Sequence, residues 1–364
     1  MRPFACVCGQ AAYFLNTLCT ACGKELGFLP ELGELASLDR LEGGLLRART
    51  GTGWDGPRRP CRNWTEHQVC NWTVPPDGSA YCRSCRLDHV IPNLAVPGNL
   101  LLWKRLESTK RRLLYGLWRL GIPVVGKDED PGRGLGFAFM SDHPDKNTYL
   151  EDLGGQGRVL TGHAGGLITI NLAEADDPSR EWMRVRMDEP YRTLLGHFRH
   201  ESGHYFWDLL VRSSPLKASF DRLFGDSGTD YREALDRHYA RPGGSNGKRS
   251  DAHISGYATV HPWEDWAETW AHYLHIDDAL EAARWRALAA PPPGGGAGGP
   301  PLSALDPAGF DAALRDFIAL AMALNDVNES LGYGMFYPFV LTPAVIEKLR
   351  FVHQVASASR RVER

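Results

Sequence analysis

All eight cysteines of this chain fall within its first 85 residues, in two groups of four: Cys6, Cys8, Cys19, Cys22 and Cys61, Cys70, Cys82, Cys85. A short cysteine-dense segment has little apolar volume for a core and needs covalent or metal staples. In the first group, CVCGQAAYFLNTLCTACG sets a C-x-C and a C-x-x-C ten residues apart, each followed by glycine. Tight turns of this kind aim backbone amides at thiolate sulfurs, and two facing turns complete a tetrahedral zinc site. Residues 1–30 are expected to be a zinc ribbon.

The second group, CRNWTEHQVCNWTVPPDGSAYCRSC, is looser, because its first two cysteines stand eight residues apart. Trp64, Trp72 and Tyr81 offer a small core around it, and His67 is a rival ligand for one sulfur. An even cysteine count also permits disulfides. The opening MRPFACVCGQ lacks the apolar stretch of a secretory signal, so a cytoplasmic chain with reduced thiols is expected, and C-x-x-C spacing then favours metal. Both sites are expected to be structural, since four sulfurs leave no open position on zinc.

Hydrophobic residues at 43% and charged residues at 23% place the remainder among soluble globular proteins. No run approaches the ~18 to 20 apolar residues of a membrane span, so no membrane partner is expected. The overall charge of −3 hides a basic front, with 16 Lys and Arg against 10 Asp and Glu over residues 1–125. A solvated basic face explains it more simply than a nucleic-acid partner.

Residues 31–60 read as a Gly- and Arg-rich connector, followed by the second cysteine module up to about residue 95. NLLLWKRLESTKRRLLYGLWRLG, residues 99–121, spaces Leu101, Trp103, Leu106, Leu113, Leu114, Leu117 and Leu120 as a basic amphipathic helix. GLGFAFM and GLITINLAEA predict strands within residues 133–174, and a mostly helical pattern follows from Asp188. The tract at 290–301, APPPGGGAGGPP, predicts a flexible insertion, and helices are expected at 306–324 and 343–356. The expected organisation is a ribbon at 1–30, connector plus second module at 31–95, and one catalytic domain at 96–364.

HFRHESGHYFWDLL, residues 197–210, carries His200, Glu201 and His204 in the H-E-x-x-H spacing. Residues four apart share a helix face, so His200 and His204 can hold one ion while Glu201, turned aside, reaches a water and moves its proton. Three fixed positions in five recur by chance, and catalytic zinc takes a third protein ligand. HPWEDWAETWAHYLH, residues 261–275, supplies one: Glu264 is assigned to the metal and Glu268, one turn on, to orienting a ligating histidine. Glu268, Asp265 and His261 remain rivals for the third position, although Pro262 marks a helix start that leaves His261 outside. His197, His253, His272 and Asp208 are read as supporting residues, with His197 standing aside. Asn325, Asn328 and Tyr337 line a cleft or simply cap and pack.

This constellation resembles the gluzincin metallopeptidases, and locally the catalytic domain of anthrax lethal factor, in which an E-x-x-A-E helix supplies a ligand and a tyrosine lies seven residues before it. Tyr257 stands at that offset from Glu264 in SGYATVHPWED, and the resemblance implies that it donates to the oxyanion of peptide hydrolysis. Over nearly its whole length the chain is also similar to bacterial zinc-binding metallopeptidases with an N-terminal zinc ribbon. CVCG with CTACG, HFRHESGHYFWD, HPWEDWAETWAHYLH and LNDVNESLGYGMFYPFVLTPAVIEKLRFVH carry that likeness. It implies an α+β, zincin-like (gluzincin) domain, mostly helical with a small sheet, one catalytic and two structural Zn2+, and a protein or peptide substrate, peptide- or isopeptide-bonded.

Gluzincin folds pair an edge strand with an extended substrate, and GGLITINLAEAD, residues 165–176, is the candidate, an ordinary core strand being the equal alternative. Two further readings compete with the plain enzyme. In one, the ribbons recruit the substrate; in the other, the chain is a zinc-ribbon adaptor for a protein tag or nucleic acid with a non-catalytic peptidase-like domain. A latent enzyme is a further reading, with LNDVNESLGYGMFYPF as a latch across the cleft.

Overall fold

Alternation of small apolar residues with arginines builds the front of the chain. The computed structural model describes residues 2–142, 159–180, 193–240, 250–289 and 298–362. After the short pair β1 (Phe4–Ala5) and β2 (Ala11–Ala12), five antiparallel strands follow in sequence order. They are β3 (Glu25–Leu29), β4 (Glu34–Arg40), β5 (Leu46–Thr50), β6 (Asp55–Pro60) and β7 (Thr73–Val74). The connector expected at 31–60 is therefore a correction: it is folded into this sheet. In β5, Leu46, Ala48 and Thr50 are buried while Arg47 reaches Asp55 at 2.6 Å and Arg49 reaches Asp39 at 2.5 Å across the strands. A composition rich in Gly and Arg concealed a two-residue period with one buried face.

Leu29, Ala36, Leu38, Leu46 and Ala48 form the core of that sheet, with Trp54 and Trp64 packed against it. The two cysteine segments share a second aromatic core, since Phe28 on β3 lies 4.8 Å from Phe14 and 5.1 Å from Trp72 between ring centroids. They are thus two four-cysteine clusters on one packed body, not beads in series.

The chain divides into two compact units, the first comprising Met1–Tyr115, Val125–Thr161 and Thr169–Ala175, the second Gly116–Val124, Gly162–Ile168 and Asp176–Arg364. Helix α1 (Asn99–Arg119) begins in the first unit. Its expected basic face is only partly solvated. Lys110 is fully buried, pairing with Asp88 of β8 (Asp88–Val90) and lying 2.7 Å from Glu107, under the rings of Phe137 and Phe139 on β9 (Gly136–Met140). Arg111, also buried, donates to the Val69 carbonyl at 2.8 Å.

β10 (Gly162–Ala164) and β11 (Leu167–Asn171) form a hairpin whose turn, Gly165–Gly166, has φ of 54° and 84°, which glycine adopts without strain. β11 has hydrogen-bonded neighbours on both sides, β10 and β9, so it is an interior strand, and among the described residues β10 is the edge. Of the two alternatives for residues 165–176, the ordinary core strand is the one observed.

The second unit is helical: α2 (Leu194–Leu210), α3 (Lys217–Phe224), α4 (Tyr231–Tyr239), α5 (Pro262–Trp285), α6 (Pro307–Ser330) and α7 (Pro343–Val362). Local sequence explains their starts. Thr193, Asp230, His261 and Asp306 accept backbone N–H groups as caps of α2, α4, α5 and α6, and proline opens α5 and α6. The last two helices extend beyond the expected 306–324 and 343–356. Most of the tract at 290–301 lies outside the described residues.

Helices α2 and α5 pack closely at Gly203, where an added Cβ would stand 2.8 Å from the Ala267 Cα. Two indoles bind the pair: Trp266 Nε1 donates to the Gly203 carbonyl at 2.8 Å, and Trp270 Nε1 to the Ser202 hydroxyl at 3.1 Å. Among the described residues no helix is long and apolar enough to cross a membrane.

Candidate metal centre

The α2–α5 contact brings three ligand atoms together. His200 Nε2 lies 3.1 Å from His204 Nε2, and Glu264 Oε2 lies 3.0 Å from the former and 3.4 Å from the latter. A zinc ion ~2.0 to 2.1 Å from each of three donors would hold them roughly 3.3 to 3.4 Å apart. Glu264 Oε2 is buried without a hydrogen-bond partner, as a ligand oxygen would be. This set therefore fits a zinc ion.

Glu268 accepts from His200 Nδ1 at 2.7 Å and, through its other oxygen, from the Ser255 hydroxyl at 2.7 Å. Burial opposes its charge, but the His200 hydrogen bond prevails and holds the carboxyl down at about 2. Burial likewise opposes charge on Glu264, yet His204 and His200 keep it well below the usual carboxylate range. Conversely, and against its own burial, His200 is raised well above the ordinary imidazole value by Glu264 and Glu268. Two buried carboxylates, Glu264 and Glu268, thus face His200 from opposite nitrogens.

The rivals for the third position are turned elsewhere. His261 caps α5, accepting from the Trp263 amide at 3.0 Å, with Nε2 3.2 Å from the Thr229 carbonyl. Asp265 pairs with Lys348 at 2.5 Å and has His253 at 3.8 Å. His272 bonds the Tyr337 hydroxyl at 2.8 Å. Asn325 bonds the backbone of Tyr337 in both directions and Asn328 the Gly334 carbonyl, so this late loop is pinned to α5 and α6. Asp208 lies 4.0 Å from His163 Nδ1 and 3.4 Å from Arg212.

His197 does not stand aside: its Nε2 lies 3.3 Å from Glu201 Oε1. Burial pushes the Glu201 carboxyl up, and His197 with the neighbouring imidazoles brings it below its ordinary value. Tyr257 is half-buried on a 3-10 turn, its ring 5.8 Å from that of His200. Sequence reasoning missed two partners. Tyr231 on α4 donates to Glu264 Oε1 at 2.6 Å, and the Trp263 ring lies 3.8 Å from that of His204.

Matching models cover both parts of the chain: one described as "Putative zinc-binding metallo-peptidase" over residues 99–355 and a zinc-ribbon domain over 3–96. The chain belongs to this metallopeptidase family. The chain is similar to the uncharacterized proteins Rv2568c of Mycobacterium tuberculosis and Mb2598c of Mycobacterium bovis. Each is 44% identical over 358 residues, covering 98% of this chain and 95% of the relative. No solved structure matches this family member significantly.

Both cysteine groups of this metallopeptidase-family chain also fit zinc. Sulfur separations of 3.6 Å (Cys6 to Cys22), 3.7 Å (Cys8 to Cys19) and 3.8 Å (Cys70 to Cys82) approach the roughly 3.8 Å edge of a tetrahedron with ~2.3 Å Zn–S bonds. His67 is not among the four grouped donors of the second cluster, and its ring stacks edge-on to Trp103 at 5.5 Å. Exposure separates the clusters: Cys8 and Cys22 are open to solvent, whereas Cys61, Cys70, Cys82 and Cys85 are all buried. Titration with an organomercurial in the presence of a zinc indicator is expected to empty the first cluster before the second. Simultaneous release, or the reverse order, would contradict this assignment.

Proposed function

We propose that the chain is a zinc-dependent peptidase that hydrolyses peptide or isopeptide bonds. The observation that carries the reading is the convergence of His200 Nε2, His204 Nε2 and Glu264 Oε2 within 3.4 Å, with Glu201 in the same helical turn. Zinc held there supplies carbonyl polarisation and brings water ionisation toward neutral pH. Glu201 takes the proton of the attacking water and delivers it to the leaving amine, its carboxylate aimed by His197. Glu268 fixes the ring of His200, so that Nε2 faces the metal position. Tyr257, beside His200, donates its phenolic hydrogen to the developing oxyanion. An extended substrate adds alongside β10, the outermost strand of its sheet among the described residues, which lies against α2.

Metal analysis tests this reading. The wild type is expected to hold three zinc ions per chain and His200→Ala two, the lost ion being the one not bound by cysteine. Two ions in the wild type would sink the peptidase proposal and leave the adaptor reading.

A further inference from the structure

We infer that Tyr231 is a positioning residue that restricts Glu264 to one-oxygen coordination and so keeps a position on the metal open. The inference rests on the zinc site proposed above. A carboxylate ligand can offer one oxygen or both, and offering both would crowd a site that needs room for water and a carbonyl. In this chain the two oxygens of Glu264 have separate tasks. Oε2 faces His200 and His204 at 3.0 and 3.4 Å, while Oε1 accepts the Tyr231 hydroxyl at 2.6 Å. A short hydrogen bond to Oε1 fixes the plane of the carboxylate so that Oε2 alone is turned to the metal position, and this orientation contributes to metal affinity.

The phenol is itself held. Its ring lies edge-on to Trp263 at 5.3 Å and to His261 at 5.4 Å, and Asp230 caps the helix turn on which it sits. Trp263 in turn lies against His204, so one aromatic brace serves two of the three ligands. Outer partners of this kind commonly contribute about 10- to 100-fold to metal affinity.

Tyr231→Phe keeps the ring and removes the hydroxyl. Expected results are unchanged zinc at the cysteine sites, about 10- to 100-fold weaker zinc binding at the third site, and a weaker visible absorption band when that site is loaded with Co2+, as a second Glu264 oxygen raises the ligand number. Replacing Tyr231 with 3-fluorotyrosine, which retains the hydroxyl, is expected to restore affinity and spectrum. Melting temperatures of both variants, measured with zinc at the cysteine sites only, that match the wild type separate this from a folding defect. Wild-type affinity and spectrum in Tyr231→Phe, or a fluorotyrosine protein that behaves like the phenylalanine one, would overturn the positioning role while leaving the zinc site in place. A wild type with no third ion would remove both.

Discussion

Glu201→Gln is expected to lower hydrolysis of a fluorescein-labelled unfolded protein by about 10² to 10⁴-fold, the usual contribution of a positioned general base, with all three zinc ions retained. The amide has almost the same shape and still meets His197, whose Nε2 lies 3.3 Å from Oε1, but it cannot accept the proton of water. Metal content therefore separates this variant from His200→Ala, in which activity and the third ion vanish together. Full activity in Glu201→Gln would eliminate the mechanism even if zinc were present.

Lys348→Met is expected to cost about 3 to 5 kcal/mol of stability at pH 8, because it removes one member of a buried ion pair. Lys348 Nζ bonds Asp265 Oδ2 and the Ala252 carbonyl, both at 2.5 Å, and so ties α7 to α5 and to the segment that leads into Tyr257. Burial pushes the Asp265 carboxyl up to about 7 even while Lys348 pulls the other way. A carboxyl with a raised folded pKa stabilises the protein at low pH and loses that contribution as pH rises from about 4, its unfolded value, toward 7. Without the ammonium that value climbs further, so the deficit of the variant is expected to widen between pH 6 and pH 8. Urea unfolding at the two pH values measures this. The double variant Lys348→Met, Asp265→Asn should recover much of the loss, since no unpaired charge is left buried. A pH-independent deficit would show that packing of the lysine stem, not its charge, matters.

Features set by neighbours along the chain were legible in the sequence. Cysteine spacing gave both four-sulfur groups, and the four-residue spacing of His200 with His204, and of Glu264 with Glu268, put each pair on one helix face. Pro262 correctly excluded His261 from α5. Strands β4 to β6 were hidden because their buried residues are small and their arginines dominate composition. The choice between edge and core for β11 stayed open in the sequence because strand order depends on pairing with β9, which no local pattern records. Tyr231 and Ser255 reach Glu264 and Glu268 from 33 and 13 residues away with no periodic signal to announce them. His197 did carry a signal, the same four-residue spacing to Glu201.

The first unit draws on three separate stretches of chain, and the second on three as well. Any single cut leaves one unit short of a piece: removal of residues 1–95 strips Val125–Thr161 and Thr169–Ala175 of most of the body they belong to. The cysteine-rich front is thus not a detachable tag. Simple end deletion of the ribbon would expose core of the first unit in what remains, so the front is exchanged cleanly only together with Val125–Thr161 and Thr169–Ala175.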